Sequence, residues 1–272
     1  MLKRFLVAAI VSLFVMSSQL AAAEDYDWNK AKRIGTKAEL ANYVESERRK
    51  GQTVFHVVLT NESILPNTWQ NRDFDKNEFY NLVVCHDVEP SIGWIDGKSM
   101  GIPFKLIEYP GTHVANAYRN GDKSKLTTEE QNIYNIAVGI VAETNKRSSE
   151  REKARYIHDV ICERVLEYKV GNERNETAIG ALIDGYAQCQ GYSDAFYMLG
   201  RMAGLNIGRI RGHINENNGL HIWNMITFND GKTYFVDVTN DDLSNTDIFF
   251  CATKETMQKY VSCEWEIIPN LQ

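Results

Sequence analysis

Beyond residue 127 the apolar residues change their spacing once, and that change sets the fold class. Up to Gly204 they recur with a helical period. Ile133, Ile136, Ile140 and Val141 share one face of "LTTEEQNIYNIAVGIVAETNK", and Tyr156, Val160, Ile161 and Val165 share one face of "SSEREKARYIHDVICERVLEY". Ser149 and Glu152 form a capping-box start for the second of these helices. A third helix begins near Cys189, with Tyr192, Phe196, Leu199 and Ala203 as its apolar stripe and Gly204 as its stop. After Gly204 the segments "IGRIRGHI", "LHIWNMITF" and "KTYFVDVT" have strand composition. Helices followed by strands, rather than interleaved with them, argue for an α+β fold with an antiparallel sheet.

The chain before residue 127 has a different texture. "MLKRFLVAAIVSLFVMSSQLAAAED" has two basic residues, an apolar run and Ala21-Ala22-Ala23 before Glu24, the layout of a secretory signal peptide spanning 1–23. An uncleaved anchor is the runner-up, but the strongly apolar part is short for a span of ~20 residues. The mature protein is therefore expected to be exported to the periplasm, cell surface or medium, without stable membrane insertion. Thr36 and Glu39 open a helix that runs to about Lys50, "TVFHVVLT" (53–60) reads as a strand, and "IPFKLIEYPG" reads as a second strand ended by Pro110 and Gly111. The expected organisation is 24–126 as an N-terminal α+β region and 127–272 as the main domain.

Acidic residues outnumber basic ones, 36 to 30, for a net charge of −6, and losing Lys3 and Arg4 with the leader deepens the excess. Nucleic acid is a poor partner for such a chain. The five cysteines are Cys85, Cys162, Cys189, Cys251 and Cys263. Export exposes them to oxidising conditions, and an odd count leaves at least one unpaired. Cys251 and Cys263 are nearest in sequence, but three pairings of the four besides Cys189 stay open.

Cys189 is the thiol with a chemical setting. At a helix N-terminus the dipole and free backbone N–H groups favour a thiolate. His221 lies on a following strand and Asp237 on the next, which supplies a base for the thiol and a carboxylate to orient that base. Hairpin geometry tests whether they can meet. If Asn229, Asp230 and Gly231 form a three-residue loop with Gly231 left-handed, Phe228 faces Lys232, Trp223 faces Asp237 and His221 faces Thr239. His221 and Asp237 are then diagonal neighbours on one face, their Cβ atoms ~7–8 Å apart or less. A two-residue loop would put them on opposite faces.

These segments together carry a resemblance. "YAQCQGYSDAFYMLGRMAGL", then "RGH" and "GLHIWNMITF", then "GKTYFVDVTNDD" resemble the bacterial transglutaminase-like superfamily, over a motif core of 157–242 that includes the upstream "YIHDVICERVLEY". The resemblance implies a papain-like core in which a helical lobe carrying the cysteine packs on an antiparallel sheet carrying histidine and aspartate. It implies Cys189 as nucleophile, His221 as general base and acid, and Asp237 as the residue that orients His221. The family often has Trp where this chain has Asn240. The implied reaction is acyl transfer from a peptide or isopeptide amide through a Cys thioester, resolved by water or by another amine. The partners expected are peptide or protein substrates, with cell-wall peptide one candidate. A non-catalytic envelope-binding module that keeps the fold is the alternative.

Other residues have plainer readings. Tyr192, Trp223 and Gln188 are placed at the border of the cleft, the first two more as packing than as substrate contacts. His158 and Asp159 sit within an amphipathic helix as structural residues. Asn61 and Asn175 head glycosylation sequons that arise often by chance. His56, His86, His213 and the cysteines show no zinc-site spacing, so neither metal nor cofactor is expected.

Overall fold

The computed structural model of the protein describes residues 26–50, 52–71, 88–90, 93–96 and 98–268. The leader expected at 1–23, and Cys85, His86 and Asp87, lie outside the described residues. The chain divides into two compact units, with the switch between Ile107 and Glu108.

The first unit is built on strands β1 (Lys32–Ile34), β2 (Val54–Leu59), β3 (Val88–Pro90), β4 (Trp94–Ile95) and β5 (Met100–Leu106), with helices α1 (Lys37–Arg49) and α2 (Pro66–Asn71). β1 runs parallel to β2, and β5 pairs antiparallel with β2, β3 and β4. Thr36 starts α1 as expected, its hydroxyl accepting from the Glu39 N–H at 3.1 Å. Ile34 of β1, Val57 and Leu59 of β2, and Leu40 and Val44 of α1 share the unit's core.

The second unit opens with α3 (Pro110–Asn120), followed by α4 (Thr128–Thr144) and α5 (Glu150–Arg164). Pro110 does not end a strand, as its place after "KLIEY" suggests; it starts α3. A proline in the first helical turn lacks only an N–H that would have no partner there, and Gly121, at φ 67°, closes the same helix. α5 starts with the expected box, Ser149 and Glu152 capping each other's backbone. Two two-residue strands, β6 (Glu167–Tyr168) and β7 (Tyr186–Ala187), then pair in parallel and lead into α6 (Cys189–Met202).

After α6 come β8 (Asn206–Ile214), β9 (Leu220–Thr227), β10 (Thr233–Val236), helix α7 (Val238–Ser244), β11 (Phe250–Ala252), helix α8 (Lys254–Met257) and β12 (Val261–Ser262). The sheet order is β11-β10-β9-β8-β12, every neighbour antiparallel. This is the α+β arrangement that the segregated periodicities require.

α6 is the central element, and its burial goes beyond the apolar stripe read from sequence. Ser193 and Asp194 are enclosed as fully as Phe196 and Leu199. Asp194 has no exposed surface; it accepts from the N–H groups of Gly111 (3.1 Å) and Ala178 (2.9 Å) and pairs with Arg209 on β8. A buried carboxylate is costly unless paired and hydrogen-bonded, and here one carboxylate ties three segments to α6.

Candidate active site

The end of α6 that carries Cys189 is shaped by its approach. The Gln188 N–H donates to the Asn175 carbonyl at 2.9 Å, and that carbonyl also lies against Gly191, where a Cβ would come within 2.3 Å of it. Glycine two residues after the cysteine is therefore a packing requirement. Asn175 is itself buried, its Nδ2 donating to the Lys169 carbonyl at 3.1 Å. Its sequon is thus closed to glycosylation in the folded chain. Gln188 is the N-cap of α6 without a side-chain capping bond, half-buried beside Cys189.

The β9–β10 hairpin has the odd-length loop. Thr233 pairs with Thr227 and Val236 with Asn224, Phe228 donates its N–H to the Lys232 carbonyl at 3.0 Å, and Gly231 adopts φ 81°. The register differs from the sequence expectation at its end. β10 stops at Val236, and Asp237 becomes the N-cap of α7, so the pairing of His221 with Thr239 does not form. The turn delivers the carboxylate nonetheless: Asp237 Oδ2 lies 2.7 Å from His221 Nε2. His221 and Asp237 are 4% and 1% exposed.

α6 is fixed to the histidine strand by Asn224 of β9, whose Nδ2 donates to the Ser193 carbonyl at 3.2 Å and the Gly208 carbonyl at 3.3 Å. The half-buried Cys189 at the head of that helix is near enough to His221 to favour its charged form. Because Nε2 is committed to Asp237, Nδ1 is the ring nitrogen left for the thiol. Burial by itself would push the His221 pKa down. The charge and hydrogen bond of Asp237, joined by Cys189, outweigh it and raise the imidazole to about 10. A charged imidazolium beside a thiol at a helix N-terminus is a setting that activates cysteine nucleophiles.

Asn240 is a member of the cluster that sequence reasoning registered only as a departure from the family pattern. Its backbone N–H donates to Asp237 Oδ1 at 3.1 Å and its Nδ2 to Oδ2 at 2.6 Å, and Nδ2 stands 3.4 Å from His221 Nε2. The available signal was the N-cap spacing, an aspartate followed three residues later by a side chain that can bond back.

Tyr192 and Trp223 pack rather than line a cleft, each 1% exposed. The Tyr192 hydroxyl donates to Asp242 of α7, while Trp223 stacks on His221 with ring centroids 5.8 Å apart and meets Trp265 on its other side. His158 has both ring nitrogens engaged, Nδ1 3.0 Å from Asp159 and Nε2 3.2 Å from buried Asp241. Cys162, Cys189, Cys251 and Cys263 are all free thiols. Among the described residues no three His, Cys, Asp or Glu side chains gather to hold a metal ion, and no helix is long and apolar enough to cross a membrane.

Residues 135–238 match the family model of the transglutaminase-like superfamily. This region is a transglutaminase-like core. The match ends one residue past Asp237 and takes in α5, α6 and the hairpin described above. Two solved structures are similar to the chain. One is a TGase, at 15% identity and a TM-score of 0.36, covering 77% of this chain and 59% of that one. The other is a Parabacteroides distasonis protein provisionally described as a protease, at 11% identity and a TM-score of 0.28, covering 67% of this chain and 40% of that one. The chain thus spans less than two thirds of either. Among curated proteins none matches the sequence. Cys189, His221 and Asp237 all fall within the residues matched to the family model.

Proposed function

We propose that the protein is an exported transglutaminase-like cysteine enzyme that cleaves or transfers peptide or isopeptide amides through a thioester on Cys189. The observation that supports this reading is the convergence of three side chains: His221 is bonded to Asp237 at 2.7 Å, and Cys189 at the head of α6 is near enough to favour the charged imidazole. In this mechanism Cys189 attacks the amide carbonyl as its thiolate. The carbonyl π electrons move to oxygen, where the Cys189 N–H at the head of α6 stabilises them. Collapse expels the amine, which takes its proton from His221, and Asp237 holds the ring in the productive orientation. Water then gives hydrolysis and a second amine gives transfer. Superfamily membership and the acidic, leader-bearing chain support an envelope peptide as acyl donor.

Wild type and Cys189→Ala are compared for labelling by an electrophilic amide probe and for turnover of cell-wall peptides, with and without added amine. Labelling and turnover are expected in the wild type only, with release independent of amine for a hydrolase and amine incorporation for a transferase. Equal labelling of Cys189→Ala sinks the proposal.

A further inference from the structure

The Asp237 carboxylate accepts from His221 and twice from Asn240. Oδ1 takes the Asn240 backbone N–H at 3.1 Å, as an N-cap side chain does. Oδ2 takes two donors, His221 Nε2 at 2.7 Å and Asn240 Nδ2 at 2.6 Å. These two nitrogens stand 3.4 Å apart. A protonated Nε2 and an amide NH2 have no lone pair to offer each other, so their closeness follows from the shared acceptor. The opposite amide orientation would set two acceptor oxygens 2.6 Å apart, which fixes Nδ2 on the carboxylate. Capping does not call for that second bond, because the backbone N–H of residue 240 caps α7 whatever side chain it bears. Asp237 is 1% exposed, so bulk water does not supply the donor in place of Asn240.

We infer that Asn240 is a positioning residue, which draws part of the Asp237 Oδ2 lone-pair density away from His221 and so lets the imidazolium pass its proton to the leaving amine more readily. The inference rests on the proposed thioester chemistry of Cys189. Two donors on one carboxylate oxygen weaken each other, because the charge that one hydrogen bond holds is not open to the next. The charges that bear most on His221 are Asp237, where α7 begins, and Cys189 at the head of α6; Trp223, stacked on the ring from its own strand, carries none. Burial lowers the pKa of the ring, but Asp237 and Cys189 outweigh it and raise the value to about 10, higher than a proton donor at neutral pH needs. Asn240 moderates that hold. When the tetrahedral adduct collapses, the C–N bond breaks and its electron pair goes to nitrogen, which takes the Nδ1 proton. The ring is left neutral, with Nε2–H still on Oδ2.

Asn240→Leu keeps the size of the side chain and removes the donor, and Asn240→Ala, a better helix former, guards against a failure to fold. The Nε2–H proton of His221 is followed by NMR at neutral pH and assigned by its loss in His221→Gln. With the competing donor gone, its bond to Oδ2 tightens, and its signal is expected to move downfield in both variants. Acylation of Cys189 by a cell-wall peptide needs a proton from His221 for the departing amine, whereas alkylation by iodoacetamide needs none. Acylation is expected to slow about three-fold, the Brønsted response to a roughly ten-fold weaker acid, while alkylation keeps at least the wild-type rate. An unmoved or upfield signal, or acylation at the wild-type rate, overturns the inference and leaves the thioester reading standing. Equal slowing of both reactions also overturns it, because Asn240 would then only hold the fold. If the wild type turns over the peptide no faster than Cys189→Ala, the thioester reading falls and takes the inference with it, even where the signal moves.

Discussion

Among its described residues the second unit contains two Cys–His–Asp sets, and they differ in the backbone that presents them. Cys189, His221 and Asp237 meet at the first residue of α6. Cys162 lies in the last turns of α5, its sulfur 4.0 Å from His158 Nδ1, and His158 bonds Asp241 through Nε2. Both histidines are buried, and both are raised to about 10 against the effect of burial by their carboxylates and neighbouring thiols. Yet the helix dipole that favours a thiolate at the head of α6 opposes one near the end of α5. His158 has a second carboxylate, Asp159, on the nitrogen nearest the thiol. Asp241 in turn accepts from the Phe249 N–H at 2.9 Å, so it closes the loop after α7. On the proposed function the first set reacts, while the second holds α7, the helix that Asp237 caps. Residue type is shared; the end of the helix and the competing partners decide the role.

Matched substitutions break this comparison most directly. Asp237→Asn is expected to cost about 10⁴-fold in turnover, as loss of an orienting carboxylate does elsewhere, and to move the alkaline limb of the pH profile down from near 10. Asp241→Asn is expected to cost stability instead, about 3 kcal/mol for opening a buried pair, with most turnover kept by the folded fraction. Urea unfolding and initial rates on both variants decide it. Comparable loss of turnover in the two would erase the distinction.

A pH test sharpens the assignment of His158. Its folded pKa, about 10, lies above the ordinary 6.5, so the pairing stabilises fully below pH 6.5 and the contribution is lost as pH rises through about 10. The gap in unfolding free energy between wild type and His158→Gln should therefore narrow from pH 6.5 to pH 10. A gap that is constant with pH would mean that His158 is uncharged in the fold. The smallest effect is expected at the hairpin. Gly231 at φ 81° has open space around a would-be Cβ, so Gly231→Ala meets only backbone strain, about 1 kcal/mol. It should leave the ratio of acylation to alkylation at Cys189 unchanged.

Local chemistry determined much of this protein from sequence alone. The capping boxes, the helix that starts at Cys189 and the three-residue loop ending in Gly231 depend on neighbours within a few positions. A sequence can specify such features because the hydrogen bonds and φ angles involved are local. The alternation along β9 and β10 places His221 and Asp237 on one face from sequence spacing alone. The helix at Pro110 was legible in principle, since a proline opens it and Gly121 closes it, but the same proline also reads as a strand stop. Tertiary structure alone decided the rest. It turned Asp237 from a strand residue into a helix cap, buried Asp194 beneath three segments and gave His158 its partner across 83 residues of chain. Those contacts join elements whose spacing in sequence carries no trace of their distance in space, so only packing could reveal them.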